Sequence, residues 1–153
     1  MVAEEIADLL LKTFRNNKKV LICGNGGSAS MSSHFAAELV GKYRHVKQAL
    51  PAIALTTDTS ALTAIGNDFG FKYIFSRQVE ALGNKGDVLI ALSTSGKSEN
   101  VLQAMSVAGQ RGMRVVDFPR EHDSTAAIQE AQLKLMHNVC ERIEDDYLLS
   151  NSK

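Results

Sequence analysis

The stretch KVLICGNGGSASMSSHFAAELV, residues 19–40, decides the fold of this chain. Its apolar run VLIC ends at Gly24, as expected for a strand that is buried on both faces of a parallel sheet. A turn rich in glycine and serine follows the run directly. The residues after the turn predict a helix over positions 30–40, with His34 and Glu38 one turn apart on the same face.

The rest of the chain repeats this alternation of short apolar runs and helical patterns. Further strands are predicted at residues 51–55, 87–93 and 114–118, and further helices at residues 3–14, 61–65, 74–82, 98–111 and 128–149. Buried strands that alternate with helices predict an α/β fold, a doubly wound, flavodoxin-like parallel sheet with helices on both faces. We expect the strand order 2-1-3-4. No internal repeat, low-complexity tract or linker is evident, so residues 1–153 are predicted to form a single domain.

Composition limits the classes of function. The chain has 153 residues, 44% of them hydrophobic, and a formal net charge of zero, which argues against a nucleic-acid partner. No apolar run has the length of a membrane span, and the first turn carries Glu4 and Glu5, unlike a signal peptide. Cys23 and Cys140 lie in apolar runs far apart, so we expect buried free thiols in a reducing cytoplasm and no membrane partner.

Two polar loops, GNGGS at residues 24–28 and STSGKS at residues 93–98, follow the first and third predicted strands. In the order 2-1-3-4 these strand ends flank the topological switch point, where open α/β sheets bind ligands. Glycines let backbone N–H groups approach an anion, and the following helices offer their positive N-termini. The loops therefore predict a site for a phosphate ester that uses neutral donors and needs no basic residue.

The loops also indicate which phosphate ester is bound. The chain has no GxxxxGK[ST] motif, and the loop after the first strand lacks the third glycine of GxGxxG. A sugar phosphate is therefore favoured over a nucleotide cofactor. The alternative is a purely structural role, because turns rich in glycine and serine commonly follow strands.

Longer stretches carry a family resemblance: CGNGGSASMSSHFAAELVGKYR, ALPAIALTTDTSALTAIGNDFGFKYIFSRQVEALG, KGDVLIALSTSGKSENV and AIQEAQLKLMH. They closely resemble the bacterial phosphoheptose isomerases, which are sugar isomerase (SIS) domain proteins. From residue 19 onwards the resemblance covers almost the whole chain. It implies conversion of sedoheptulose 7-phosphate to D-glycero-D-manno-heptose 7-phosphate through an enediol, the first step of ADP- and GDP-heptose biosynthesis. It also implies a homotetramer with active sites built between subunits, and we expect residues 3–14 and the last helix to pack against other copies in a dimer of dimers.

The resemblance assigns roles to individual residues of this sequence. Glu38 and His137 match the acid/base pair, Asp68 matches a substrate-side acid, and Gln129 matches a polar position of the last helix. Some family members bind zinc at positions that match His34, Glu38, Gln129 and His137, so zinc is the candidate cofactor, with no nucleotide cofactor. The substrate-binding positions, those for the phosphate included, are matched by Asn25, Gly26, Gly27, Ser28, Ser93, Thr94, Ser95 and Ser98.

The chemistry of these side chains suits the implied reaction. Interconversion of an aldose and a ketose moves a proton between C1 and C2, which requires a base and an acid, usually Glu and His. Gln129 and His137 are eight residues apart, about two turns of helix, and therefore lie on one broad side. We expect Glu38 to work with His137 of a neighbouring subunit, and leave open which of the two is the base.

The chain departs from the family pattern in three places. Met31 occupies a position where many members have Asp, and the family usually has a further helix, which supports oligomer packing, before the one predicted at residues 3–14. Only PREHDST separates the fourth strand from the last helix, where the family has a glycine-rich turn, a helix and a fifth strand. Either the sheet edge is truncated, or the sequence lacks a segment between Phe118 and Ile128. The second is favoured, because losing an edge strand would expose a buried one.

Two other functions remain open at this point. One is a non-catalytic SIS protein that binds a replication initiator, a class that lacks the Glu of HFAAE and the His of the last helix. This chain keeps both residues, as Glu38 and His137. The other is a sugar-phosphate sensor, which would need only the phosphate loops and is distinguished from an isomerase by a turnover assay.

Overall fold

The computed structural model describes residues 1–151, in which helices and strands alternate as predicted. The chain folds into α1 (Ala3–Arg15), β1 (Val20–Gly24), α2 (Gly27–Val40), β2 (Ala52–Ala54), α3 (Thr59–Asp68), a 3₁₀ turn (Phe71–Tyr73), α4 (Ser76–Leu82), β3 (Val88–Leu92), α5 (Glu99–Gln110), β4 (Arg114–Asp117) and α6 (Thr125–Asn151). Helix α2 begins three residues before the predicted start, because Gly26, at φ +58°, turns the chain directly into it.

The strands form one parallel sheet in the order β2-β1-β3-β4, which confirms the prediction. Val20 at the start of β1 pairs with Ala52 on one side and with Val88 on the other. At the other end of β1, Gly24 pairs with Leu92. The loops after β1 and β3 therefore leave the sheet side by side.

Side chains of β1 alternate between two core layers. Val20 and Ile22 pack in the layer that contains the apolar faces of α1, α2 and α6. Leu21 and Cys23 pack in the opposite layer, with residues of α4 and α5. Helices α2 and α6, which carry the predicted site residues His34, Glu38, Gln129 and His137, consequently lie on the same face of the sheet.

The second strand is less buried than its apolar sequence indicated. We expected a strand buried on both faces, but β2 is the edge of the sheet and the side chain of Ile53 is 38% exposed. Its position at the edge, with a partner strand on one side only, explains this difference.

The opposite edge of the sheet is β4, and a segment missing between Phe118 and Ile128 stays a prediction. From Asp117 the chain reaches α6 directly, through residues 118–124. Arg114 and Asp117 are exposed on β4, and such charges disfavour edge-to-edge pairing with another sheet. Gln132 of α6 binds this connecting segment, because its side-chain amide donates a hydrogen bond to the carbonyl oxygen of Pro119 at 3.0 Å.

The cysteines are free and buried, as predicted. Burial raises the pKa of Cys23 to about 12, so this thiol stays protonated at neutral pH. Among residues 1–151, no helix combines the length and the apolar character that crossing a membrane requires.

Candidate active site

The loops after β1 and β3 are joined by a reciprocal pair of hydrogen bonds. Asn25 donates its side-chain amide to Asn100 at 2.8 Å, and Asn100 donates back at 2.9 Å. Asn100 is buried in the first turn of α5. A Cβ at Gly24 would come within 2.8 Å of the Leu92 carbonyl oxygen, so this approach requires glycine. The two loops are therefore in direct contact, and a single crevice lined by both stays a prediction.

The loop after β3 curls around a buried hydroxyl. The Ser93 Oγ accepts a hydrogen bond from the backbone N–H of Gly96 at 3.0 Å and lies 3.4 Å from the Ser98 Oγ. Ser95 Oγ accepts from the backbone N–H of Lys97 at 3.1 Å. Ser98 precedes α5 and makes no side-chain capping bond to it. The N–H groups at the start of α5 are therefore suited to an anion.

Arg120 lies against this loop, and its position there was not predicted from the sequence. Its Nε donates to the Ser93 carbonyl oxygen at 3.3 Å, and its guanidinium pairs with Asp117. A Cβ on Gly96 would lie 3.1 Å from the guanidinium carbon. The expectation of neutral donors alone is therefore incomplete. No local signal pointed to Arg120, because its place depends on the short path from β4 to α6.

Helices α2 and α6 enclose a groove beside the loop after β1. Gln129 of α6 packs on Gly27, where a Cβ would come within 2.6 Å of the Gln129 Nε2. His34 lines the same groove, which has a volume of about 280 Å³. Met31 is buried and forms an apolar wall at the position where the family has Asp. Gln129 and His34 thus face a shared space, as predicted.

Glu38 and His137 lie together in a single chain. The Glu38 Oε1 is 2.8 Å from the His34 Nε2 and 3.9 Å from the His137 Nε2. The two histidine rings are in edge contact, with centroids 5.4 Å apart. We expected His137 from a neighbouring subunit, and the structure already brings the His137 of the same chain to 3.9 Å from Glu38. Because α2 and α6 pack on the same face of the sheet, one chain assembles the pair.

The second oxygen of Glu38 is buried. The Oε2 has no N–H or O–H donor among residues 1–151, and the Glu38 side chain is only 15% exposed; the thiol of Cys140, a weak donor, interacts with the same carboxylate. The neighbouring thiol of Cys140 has a raised pKa, first because of burial and second because of the charge of Glu38. A buried carboxylate oxygen without an N–H or O–H donor is costly, so a proton, a metal ion or a substrate hydroxyl is its natural complement.

Three of the four predicted metal ligands fit a single divalent ion. One ligand atom from each of His34, Glu38 and His137 lies within 4.8 Å of the others. Imidazole and carboxylate donors are the ligands that zinc accepts. Gln129, the fourth predicted ligand, lines the groove with His34.

Tyr43 covers His137 and is a second residue that sequence reasoning missed. Its ring stacks on the imidazole with centroids 5.3 Å apart. Glu144 of α6 holds the loop that carries Tyr43, by accepting bonds from the backbone N–H groups of Tyr43, Arg44 and His45 at 2.6, 2.9 and 2.8 Å. Burial opposes ionisation of Glu144, but these bonds and the charge of Lys47 outweigh it and lower its pKa.

Asp68 is the predicted site residue that the structure does not bring to the others. It lies at the exposed end of α3 and accepts a hydrogen bond from Asn67 at 2.9 Å. Asp68 does not line the depression that is formed in part by Ser93, Gly96 and Ser98, and it does not line the groove that contains His34. A contribution from Asp68 to substrate binding stays a prediction.

Comparison with known proteins gives consistent relatives. Residues 2–118 match the family model described as SIS domain. The chain is 47% identical to the phosphoheptose isomerase of Campylobacter concisus, over 94% of this chain and 85% of that protein. It is 46% identical to phosphoheptose isomerase 1 of Campylobacter jejuni, over 94% and 86% respectively.

Solved structures agree with this result. The structure of a phosphoheptose isomerase from Neisseria gonorrhoeae matches with a TM-score of 0.87 and 44% identity. One from Francisella tularensis matches with a TM-score of 0.88 and 34% identity. Each match covers 94% of this chain and 85% of the other.

Proposed function

We propose, from the premise that this chain belongs to the phosphoheptose isomerases of the SIS domain family, that it is an isomerase acting on sedoheptulose 7-phosphate. The product is D-glycero-D-manno-heptose 7-phosphate. The observation that carries the proposal is the assembly of Glu38 and His137 beside the groove that Gln129 and His34 line. A sensor would need only the phosphate loops, and the initiator-binding class would lack both Glu38 and His137.

We assign the phosphate of the substrate to the loops that follow the carboxyl ends of β1 and β3. The start of α5 and the hydroxyls of Ser93, Ser95 and Ser98 surround the position of the anion. The sugar then extends along the groove between α2 and α6. Gln129 and His137 are eight residues apart, about 12 Å along a helix, so the groove can hold an extended sugar.

Proton transfer falls to Glu38 and His137. One of them removes a proton from C1 of the ketose while the other protonates the carbonyl oxygen at C2, which gives the enediol. Return of a proton to C2 and loss of the O1 proton give the aldose. Each group of this kind typically contributes a factor of about 10² to 10⁴ in rate.

Zinc is proposed as a cofactor, held by His34, Glu38, Gln129 and His137; with the ion bound, Glu38 and His137 would be ligands, and one of them would have to be released to move the proton. The convergence of three of these donors and the buried Oε2 of Glu38, which lacks an N–H or O–H donor among residues 1–151, support zinc binding. When bound, zinc would supply Lewis-acid polarisation of the substrate carbonyl. Independently of the ion, the side chain of Glu38 is only 15% exposed, which limits its contact with bulk water.

A homotetramer is also proposed, with a changed interface. The apolar face of α1, expected to meet other copies, is buried against α6 of the same chain. Exposed aromatic side chains occur instead at Phe69, Phe71 and Tyr73. Light scattering should report a tetramer at micromolar concentration. Phe71→Asp should lower the fraction of tetramer, whereas Val46→Asp, at an isolated exposed residue, should leave that fraction unchanged.

The test of the proposed function is a coupled assay that detects the aldose product from sedoheptulose 7-phosphate. We expect turnover, and loss of turnover after treatment with a chelator if zinc is required. Binding of sedoheptulose 7-phosphate without turnover, in protein supplied with zinc, would contradict the isomerase and support the sensor.

A further inference from the structure

A depression of about 660 Å³ lies at the amino end of the sheet, remote from the substrate loops. It is bounded by the last turns of α1 and by the turns that precede β3 and β4. Four basic side chains line it: Lys12, Lys18, Lys85 and Arg114. Because the strands are parallel, their amino ends all lie on one side of the sheet. The loops after β1 and β3 lie on the other side, at the carboxyl ends of the strands.

These four basic groups have no acidic partners. Among residues 1–151, no carboxylate oxygen lies within 4.0 Å of any of them. Asp87 is close in sequence, but its carboxylate accepts from the Lys19 Nζ at 2.6 Å and from the Asn84 N–H at 2.8 Å. The chain has a formal net charge of zero, so the cluster does not reflect a general basic excess. Cations gathered without counter-charges repel each other and create a local positive potential.

Two of the lysines are positioned by glycines. The side chain of Lys18 passes over Gly86, where a Cβ would lie 3.3 Å from the Lys18 Cε. The side chain of Lys85 passes over Gly112, where a Cβ would lie 3.2 Å from the Lys85 Cγ. Both glycines have positive φ, +90° and +73°, so other residues there would be strained. Held stems lose less rotamer entropy when the ammonium groups bind a ligand.

We infer that this depression, the amino-edge site, binds a small ligand with several phosphates and an apolar group, of the nucleoside diphosphate class. Its volume is within the range of small-molecule sites, about 300 to 1,000 Å³, and an inorganic anion would leave most of it empty. The half-buried side chain of Leu9 and the lysine stems provide an apolar wall. The concave form and the zero net charge of the chain disfavour a nucleic-acid polymer.

The test is calorimetric titration of ADP at low salt. Wild-type protein should bind one ADP per chain, and Lys18→Gln/Lys85→Gln should weaken binding by about tenfold or more, because two charged hydrogen bonds are lost. Lys134→Gln, at an exposed lysine of α6 outside the depression, should bind as wild type. Pyrophosphate should bind more weakly than ADP, because it makes no contact with the apolar wall.

Two controls separate this site from the substrate loops and from misfolding. Ser95→Ala should leave ADP affinity unchanged, and loss of ADP binding in that variant would place ADP in the substrate loop and overturn the inference. Without ligand, the double lysine variant should melt no lower than wild type, because it removes mutual repulsion. Absence of ADP binding to wild type, or equal binding by the double variant, would also overturn it.

Discussion

Tyr43 lies nearly flat on His137, with ring centroids 5.3 Å apart and ring planes inclined by 26°. Since His34 contacts His137 edge-on from α2, the imidazole is held between two rings. An orientation fixed in this way keeps the His137 Nε2 directed toward Glu38, 3.9 Å away. Tyr43 is therefore a positioning residue for the proposed proton transfer.

Replacement of Tyr43 tests this role. Tyr43→Ala removes the stacked ring and should lower kcat by about fivefold, which corresponds to the loss of about 1 kcal/mol for an aromatic contact. Tyr43→Phe keeps the ring and should retain kcat. Steady-state kinetics on both variants decide the matter, and equal loss in both would assign the effect to the hydroxyl.

The proposed acid/base pair makes a stronger prediction. Glu38→Gln and His137→Asn preserve shape but remove proton transfer, so each should lose kcat by about a hundredfold or more. The exposed loop residues Glu121 and His122 offer matched controls, and Glu121→Gln and His122→Asn should keep wild-type kcat. Near-normal turnover in a folded Glu38 or His137 variant would exclude that residue from proton transfer.

Arg120 should act on substrate binding more than on the chemical step. Arg120→Gln removes the cation beside the Ser93 loop and should raise KM by about tenfold with little change in kcat, since the phosphate is bound equally in ground and transition states. Arg142→Gln, which removes an arginine paired with Asp8 on the outer side of α6, is the control. A fall in kcat with unchanged KM would refute this role.

Glu144 should make stability depend on pH in the acid range. Its pKa is lowered from 4.5, so the folded state binds its proton less readily than the unfolded state. The stabilisation is therefore complete above pH 4.5 and is lost as the pH falls through the lowered pKa.

Comparison of wild type with Glu144→Gln isolates this effect. The variant should lose about 2 kcal/mol in the free energy of unfolding at pH 7, because bonds to a charged acceptor are replaced by weaker ones. Urea denaturation at several pH values should show the difference shrinking as the pH falls from 4.5 through the lowered pKa of Glu144. A difference that stays constant with pH would contradict the ionised role of Glu144.

Much of the fold could be predicted from local patterns. Short apolar runs followed by polar loops mark β1 and β3, and their alternation with helices predicts the parallel sheet. The exposure of Ile53 could not be predicted, because it depends on which strand occupies the edge and not on the composition of β2.

The residues of the candidate site also fall into two groups, those that the sequence predicts and those that it does not. Glu38 and His137 could be identified from their motifs, and His34 from its spacing to Glu38. Tyr43 and Arg120 could not, since their positions depend on contacts between distant parts of the chain. The bond from the Tyr43 N–H to Glu144 spans 101 positions of sequence, and no local pattern encodes such a contact.

The assembly of Glu38 and His137 in one polypeptide bears on how subunits would share activity. If wild-type chains and chains carrying both Glu38→Gln and His137→Asn are co-assembled, each wild-type chain keeps an intact pair. Activity should then fall in proportion to the fraction of inactive chains. A pair contributed by two different chains would instead lose sites faster than that fraction, and would regain them when single variants of the two kinds are mixed. A dominant-negative allele of this protein is therefore not expected to arise through its acid/base pair.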